Sequence, residues 1–408
     1  MTDALKARDA KDVESAVQWA LAENKTFEVV GQGSKRAFGR PAQSDATLDL
    51  SGLTGITLYE PEELVLSARA GTPLAEIEAQ LATAAQELAF EPMDYGPLLG
   101  VPPGRGTIGG VVAANLSGPR RIKAGAARDH FLGTSAVSGR GEIFKTGGRV
   151  VKNVTGYDLC KLLAGSWGTL GAMTDITLKT LPRAETEATI LLLGLEAEPA
   201  MRAMAAAMGS SNEVSGAAHV PGNVGFRVAD ALPIGRAITA LRLEGVEPSV
   251  VHRQRELQQR LRSLGPLAVL DAVQSRLLWR AIRDVVPFAA DGPAGTRMVW
   301  RISTAPMQGA EIARIISAAC DAELMFDWAG GLVWAALAPS DDGSAPVIRQ
   351  AVESCGGHAT LVRAPAALRA AVPVFEPQQR GLAALTKRVK QSFDPKGVLG
   401  SGRMWAGV

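Results

Sequence analysis

The chain has 408 residues, 47% of them hydrophobic, enough to fill the cores of two or three domains. Its 43 basic and 41 acidic side chains leave a net charge of +2 and only 5% are aromatic, so composition indicates neither a basic nucleic-acid surface nor a base-stacking one. No apolar run approaches the ~18 residues of a membrane span, the polar start MTDALKARDAKDV reads as no leader, and scattered Cys160, Cys320 and Cys355 form no CxxC pair for zinc or an iron–sulfur cluster, as fits a reducing cytoplasm.

Val13, Ala16, Val17, Ala20 and Leu21 recur at helical spacing over Asp12 to Asn24, and Phe27 to Val30 reads as a short strand running into Gly31-Gln32-Gly33-Ser34-Lys35. A dinucleotide-binding turn would need a third glycine where Arg36 sits, and a P-loop would need Gly-Lys-Ser/Thr. The Gly-x-Gly pair leaves two readings: a plain tight turn, or a nest of amides against a pyrophosphate. Ile56 to Ala70 alternates around Glu60-Pro61-Glu62-Glu63, which predicts a β-hairpin with Pro61 at the second position of a type I turn. Thr72 is then expected to cap a helix that begins at Pro73 and shows one face through Leu74, Ile77, Leu81 and Leu88. Strands and helices mix without strict alternation, which points to an α+β fold rather than a doubly wound parallel sheet.

From Pro102 to Leu181 glycine is dense, although each glycine inside an element costs roughly 0.5–1 kcal/mol relative to alanine. Gly109 and Gly110, after Thr107-Ile108 and before an apolar run, are expected to bare their amides towards an anion, or else to form a turn that needs a positive φ. Between Arg120 and Lys161, nine basic residues against three acidic ones leave a surplus of six, read as a solvated basic face or as a surface for a phosphorylated cofactor, an anionic substrate or an acidic partner. Thr146-Gly147-Gly148-Arg149 reads as a surface turn, and Gly165-Ser166-Trp167-Gly168-Thr169-Leu170-Gly171 as a second glycine turn feeding a half-buried strand that holds Ile176 and Leu178.

After Leu181-Pro182 the glycine motifs stop, and a domain boundary is placed near Arg183. Strands are expected at Thr189 to Leu193, Val224 to Val228, Met298 to Ile302 and Leu332 to Leu337, and helices over Pro199 to Met208, Gln254 to Val286 and Gly309 to Cys320. Leu324 to Leu337 folds as a hairpin about Gly330-Gly331, and the whole reads as an antiparallel sheet with helices on one face. His219, His252 and His358 stand alone in sequence and are assigned structural roles. Leu382 to Ser392 is a basic helix stopped at Phe393-Asp394-Pro395, and Gly397 to Arg403 is a glycine-bearing tail.

In order and number, Gly31 to Lys35, Thr107-Ile108-Gly109-Gly110, Asn115, Val151-Lys152-Asn153-Val154-Thr155-Gly156-Tyr157-Asp158-Leu159, Gly165 to Gly171 and Phe393-Asp394-Pro395 resemble the flavoproteins of the vanillyl-alcohol oxidase and p-cresol methylhydroxylase (PCMH) type. Within that group the chain is most similar to the family of FAD-binding E subunits of bacterial glycolate oxidases. The resemblance implies an FAD domain of two α+β subdomains over 1–183, an α+β cap over 184–380 and a segment, 381–408, that returns to the FAD domain. It also implies pyrophosphate held by Gly31, Gln32, Gly33, Ser34 and Lys35, with further cofactor contacts from Thr107, Ile108, Gly109, Gly110, Asn115, Arg128, Gly165, Gly168, Thr169, Gly171 and Met173. Covalent members carry a histidine where Ser34 stands, so the implied FAD is non-covalent. Related 2-hydroxyacid dehydrogenases have a Glu-His-Gly signature and a histidine pair that bind metal; here only Gly356-Gly357-His358 is found, no metal is implied, and no catalytic base is assigned. The tail has Gly400-Ser401-Gly402-Arg403 in place of the family's Asn-Pro-Gly-Arg.

The implied function is that of an FAD subunit in a glycolate oxidase (dehydrogenase) complex, with a glycolate-like 2-hydroxy acid as substrate and with a sister flavoprotein and an iron–sulfur subunit as partners. The expected location is the cytoplasm, with peripheral attachment at the inner membrane only through those partners. Two alternatives stand beside it: a structural or electron-relay flavoprotein subunit without its own substrate chemistry, and a self-sufficient flavin dehydrogenase of another small 2-hydroxy acid.

Overall fold

The computed structural model describes residues 3–41, 43–149, 156–225, 227–228 and 236–408. The chain starts with β1 (Asp3–Lys6), α1 (Ala10–Ala22), β2 (Phe27–Val30) and β3 (Ala46–Asp49). These strands form a parallel sheet in the order β1-β3-β2, and the apolar stripe of α1, capped by Asp9, packs on it through Val13, Val17 and Ala20. The predicted hairpin follows as β4 (Ile56–Glu60) and β5 (Val65–Arg69), with Glu63 N–H donating to the Glu60 carbonyl across Pro61.

Next come α2 (Leu74–Ala82), β6 (Gln86–Glu87), α3 (Ile108–Ala114), α4 (Arg121–Ala124), α5 (Ala127–His130), β7 (Phe131–Ser138), β8 (Ile143–Gly147), α6 (Leu159–Leu163) and β9 (Gly171–Lys179). A five-stranded antiparallel sheet, β4-β5-β9-β7-β8, forms the second layer, and β10 (Leu181–Pro182) pairs back on β6. Thr72 does not cap α2: its hydroxyl donates to the Arg69 carbonyl and accepts the Gly55 amide, which leaves Pro73, with ψ 141°, as the residue that enters the helix. Nor is Gly147 in a free surface turn. It closes β8 against β7 with φ +70°, and a Cβ there would lie 2.0 Å from the Leu132 carbonyl oxygen.

The remaining elements are two copies of one β-α-β-β-α-β unit. The first is β11 (Thr186–Leu193), α7 (Ala197–Met208), β12 (Gly216–Val220), β13 (Ile238–Gly245), α9 (Glu247–Leu261) and β14 (Leu267–Leu270), with the one-turn helix α8 (Gly222–Gly225) after β12 and α10 (Ala272–Arg283) at its end. The second is β15 (Met298–Ser303), α11 (Gly309–Ala319), β16 (Ala322–Asp327), β17 (Leu332–Leu337), α12 (Ala345–Cys355) and β18 (His358–Arg363). Their strands run 14-11-13-12 and 16-17-15-18, the second order being the mirror of the first, and they join edge to edge at β12 and β16 in one antiparallel eight-stranded sheet. Two expectations fail here. Residues 222–225 are helical, so there is no strand through Val224, and the stretch from Gln254 to Val286 is two helices split by β14, because Gly265-Pro266 ends the first and Asp271 caps the second.

The chain ends in α13 (Ala366–Ala371) and α14 (Arg380–Phe393), after which the tail returns to the first sheet: Phe27 N–H donates to the Val398 carbonyl, Gly400 N–H to the Phe27 carbonyl, and Val398 and Leu399 are buried in its core.

The eight-stranded sheet is locked onto the first unit by charge. Arg242, on β13 and fully buried, donates to both carboxylate oxygens of Glu91 at 2.8 and 2.9 Å, while Arg120 bridges Glu87 and Glu244. The two arginines pull the Glu91 carboxyl down to about 2 against the opposing effect of its burial. Arg120, counted in the basic surplus, is thus spent inside the protein. Removing one member of a buried pair leaves the other charge uncompensated. Glu91→Ala is therefore expected to lower stability by about 3–5 kcal/mol, read from the midpoint of denaturant unfolding, whereas Lys123→Ala, whose pair with Glu213 is exposed, should change it by less than about 1 kcal/mol.

Candidate functional site

β2 delivers the chain into the Gly31–Lys35 loop, and Thr107, the cap residue of α3, is bridged to Pro73 in the segment that follows β5. The two glycine turns meet: a Cβ on Gly31 would lie 2.6 Å from Thr107 Oγ1, and one on Gly110 would lie 3.2 Å from Lys35 Nζ. Gly33 has φ +75°, and among the described residues the amides of Gly31, Gln32, Gly33, Ser34 and Lys35 donate to no protein acceptor. Five consecutive free N–H groups at a turn suit an anion.

The second turn is different from the expectation. Its first amides are not bared: Ile108 N–H donates to the Thr72 carbonyl, Gly109 N–H to the Ala70 carbonyl, and Gly110 N–H to Thr107 Oγ1. Gly109 is needed because Ala70 lies where its side chain would be, at 2.8 Å, so its smallness serves the packing of α3 on β5. Gly110 is the glycine that faces the cavity. That cavity is lined by Gly31 to Arg36, Thr107, Gly110, Ala113, Trp167 and Arg403. Burial pushes the Lys35 ammonium down to about 8, with Asp94 opposing and Arg403 adding to the effect.

A second cavity, a cleft of about 560 Å³ between the five-stranded and eight-stranded sheets, continues from Trp167, which lines both. This volume is in the range of small-molecule sites. Asn115, at the left-handed end of α3 (φ 50°), and Gly165 (φ +83°) line it together with Phe38, Phe375, Met404 and Trp405. Trp167 stacks on Phe38 with centroids 4.1 Å apart.

The other expected residues lie behind these walls. Ile108 and Met173 are in the core, Gly171 begins β9, and Gly168 packs against Val29. Thr169 is buried with its carbonyl accepting from Lys390 Nζ, and Arg128 is an exposed residue of α5 whose backbone amide donates to Asn115 Oδ1. Val151 to Thr155 lie outside the described residues.

Of four further residues of the cleft, Arg121 entered the sequence reading only as one of the basic surplus, and Arg301, Trp328 and Glu376 were not singled out. A fifth, His358, expected to be structural, also lines the cleft. Strand alternation explains Arg301 and His358, since Ser303 pairs with His358 and Arg301 with Thr360, which turns these four strand residues to the cleft while Trp300 and Ile302 enter the core. The Trp328 indole, on the β16–β17 turn with φ 53° and its Nε1 donating to the Gly118 carbonyl, carries two guanidinium groups: Arg121 at 4.1 Å and Arg301 at 5.0 Å from its centroid. Among the described residues neither arginine has a carboxylate partner. Glu376 is held by Arg349 and by the Ala359 amide. His358 opens onto the cleft, yet the surrounding protein first and Arg301 second hold its imidazole below its ordinary value. The signal that could have found this set was a polar residue at alternate positions of a strand otherwise apolar, as in Met298 to Ser303.

A family described as an FAD binding domain matches residues 4–147. Glycolate oxidase subunit GlcE of Escherichia coli is 35% identical over 394 residues, 96% of this chain and 95% of that one, and glycolate oxidase subunit GlcD of Bacillus subtilis is 26% identical over 74% of this chain and 68% of that one. The solved structure of p-cresol methylhydroxylase with substrate bound superposes with a TM-score of 0.71 at 14% identity, over 98% of this chain and 88% of that one, a likeness of fold.

The free amides, the cavity-facing Gly110 and the half-buried cations Lys35 and Arg403 fit the dianionic pyrophosphate of FAD. Gly110→Val is expected to fold and to bind FAD about ten- to a hundredfold more weakly, from loss of contacts to a charged group of roughly 1.5–3 kcal/mol. Gly109→Val, in contrast, should fail in folding, which circular dichroism and flavin content measured on the same preparations would separate.

Proposed function

The chain belongs to the family of FAD-binding glycolate oxidase E subunits, and from that premise we propose that it is the FAD-bearing subunit of a glycolate oxidase (dehydrogenase) complex that converts glycolate to glyoxylate. The observation that carries the reading is the cleft that opens from the amide-lined cavity and bears the unpaired Arg121 and Arg301 beside His358. The proposed division is 1–183 and 381–408 for the cofactor domain and 184–380 for the cap; the change of sheet between Pro182 and Thr186, and the return of Val398 and Leu399 to the first core, support it.

Oxidation of a 2-hydroxy acid removes two electrons and two protons. FAD, when bound, supplies the two-electron acceptor; Gly31 to Lys35 with Gly110 would hold its pyrophosphate. Arg301 and Arg121 hold the substrate carboxylate, a bidentate match of fork to carboxylate that a lysine would not give. Trp328 holds both like-charged groups against its indole. His358, neutral near pH 7 because its pKa is lowered, accepts the hydroxyl proton. Phe38, Trp167, Phe375 and Trp405 exclude water from the mouth. Electrons then leave to the partner subunits, a sister flavoprotein and an iron–sulfur protein; the word subunit in the names of both relatives supports an assembly. No described helix is long and apolar enough to cross a membrane, so attachment there would run through partners.

Ser34 stands where covalent relatives place histidine, so acid or heat should release FAD intact, and flavin fluorescence remaining on a denatured gel band would oppose this. Anaerobic titration with glycolate should bleach the flavin of the complex; a flavin untouched by any 2-hydroxy acid, in the complex and in the chain alone, overturns the proposal. Arg301→Met should raise KM for glycolate with flavin content unchanged. His358→Asn should lower kcat by roughly 10²–10⁴-fold. Because the neutral imidazole is the base, kcat/KM should fall on the acid side with an apparent pKa below 6.5, and that limb should vanish in His358→Asn.

A further inference from the structure

The family match ends at residue 147, yet the cavity at the glycine loops is lined by a residue from the far end of the chain, Arg403. Its Nη2 donates to the Lys35 carbonyl at 2.9 Å, its own carbonyl accepts from the Arg40 amide, and its guanidinium lies 5.6 Å from the Trp167 centroid. Its Nε is buried with no hydrogen-bond partner. The nearest carboxylate, Glu28, is 4.0 Å away and is already engaged by Arg36 at 2.5 Å. Lys35 Nζ, on the same cavity, has among the described residues only Ser34 Oγ, at 3.1 Å. Among the described residues Lys35 thus has no ion pair and Arg403 only an occupied carboxylate at 4.0 Å, beside five amides without acceptors. Buried charge is tolerated when paired, so this arrangement is complete only with an anion present.

We propose that Arg403, carried back by the C-terminal segment, forms with Lys35 a cation pair that neutralises the diphosphate of FAD, so that the last residues of the chain are part of the cofactor site. The inference rests on the FAD reading above and assigns a role to a residue outside the matched domain. It makes the tail a condition of cofactor retention and not merely of stability. Lys35 adds a signature in pH. The charged groups that face its ammonium are Asp94 and Arg403, and with its pKa near 8 in the cofactor-free protein it is charged below that pH and neutral above it.

The test uses the full chain stripped of flavin, with FAD, ADP and riboflavin as separate probes and tryptophan fluorescence as readout. Arg403→Met and Lys35→Met should each weaken FAD and ADP about ten- to a hundredfold and leave riboflavin unchanged, and Arg403→Lys should recover part of the loss. Wild-type affinity for ADP should decline above pH 8, and Lys35→Arg should remove that decline. If folded Arg403→Met and Lys35→Met both bind FAD and ADP as tightly as wild type, or lose riboflavin as strongly as ADP, the assignment is overturned. Wild-type protein that binds none of the three probes would instead overturn the FAD reading itself, a distinguishable result. Circular dichroism of each variant comes first, and the Lys35 variants, far from the tail in sequence, keep the proposal testable if Arg403→Met does not fold.

Discussion

The buried ion pair of Lys390 with Asp394 holds the cofactor end of this structure together. Lys390 Nζ, 3% exposed, donates to the Asp394 carboxylate, to the Thr169 carbonyl of the second glycine turn and to the Leu399 carbonyl of the tail. Asp394 in turn accepts the amides of Val398 and Leu399 and sits where Gly139 leaves room: a Cβ there would lie 2.3 Å away. One ammonium thereby ties helix, turn and tail, and desolvation of both charges is offset by satisfying every donor and acceptor they present. The position of the tail along β2, and with it the placing of Arg403, follows from this knot.

A second constraint orients the two sheets. The Glu91–Arg242 and Arg120–Glu244 pairs cross from one unit to the other, and Trp328, at the tip of a turn in the second half of the eight-stranded sheet, donates to the Gly118 carbonyl just before α4. The cleft is the space left between these fastenings. Trp328 and Ala329 both hold positive φ, a conformation that costs of order 1–3 kcal/mol per residue and persists only where the surroundings determine it. Here Asp327 does so by accepting the Trp328 amide, its carboxyl pushed up to about 7 by burial.

Much of this was legible in the sequence because the signals are local. The Pro61 hairpin, the strand Phe27–Val30 and the hairpin about Gly330-Gly331 follow from chain reversal and period two, whereas a shared place for the glycine-rich turns was implied only by the family resemblance. Gly109 shows the limit: glycine marks a close approach, but the approaching atom is Ala70 of the protein's own strand, and only three-dimensional packing tells it from a ligand. The Gln254 to Val286 stretch was misread because β14 is four residues long between strong helices, too short for periodicity to register. The repeated β-α-β-β-α-β unit escaped notice because the copies share topology rather than residues. The place of His358 beside Arg121 and Arg301 could not be read, since these are 237 and 57 positions away and only the fold brings them to one cleft.

Net charge shows why placement outweighs composition. The chain as a whole carries +2, a value that promises no affinity for anions. Yet two pairs of cations with no free carboxylate at ion-pair distance among the described residues lie on one path, Lys35 with Arg403 at one end and Arg121 with Arg301 at the other, while Glu28 and Glu376 are bound by Arg36 and Arg349. An indole lies against the guanidinium groups at each point, Trp167 against Arg403 and Trp328 against the pair in the cleft. In a medium of effective dielectric near ~20, a unit charge at about 4 Å is worth roughly four times what it is in water. On the proposed reading, two small groups of cations, each with an indole against a guanidinium, select a diphosphate and a carboxylate in a protein that is almost neutral overall.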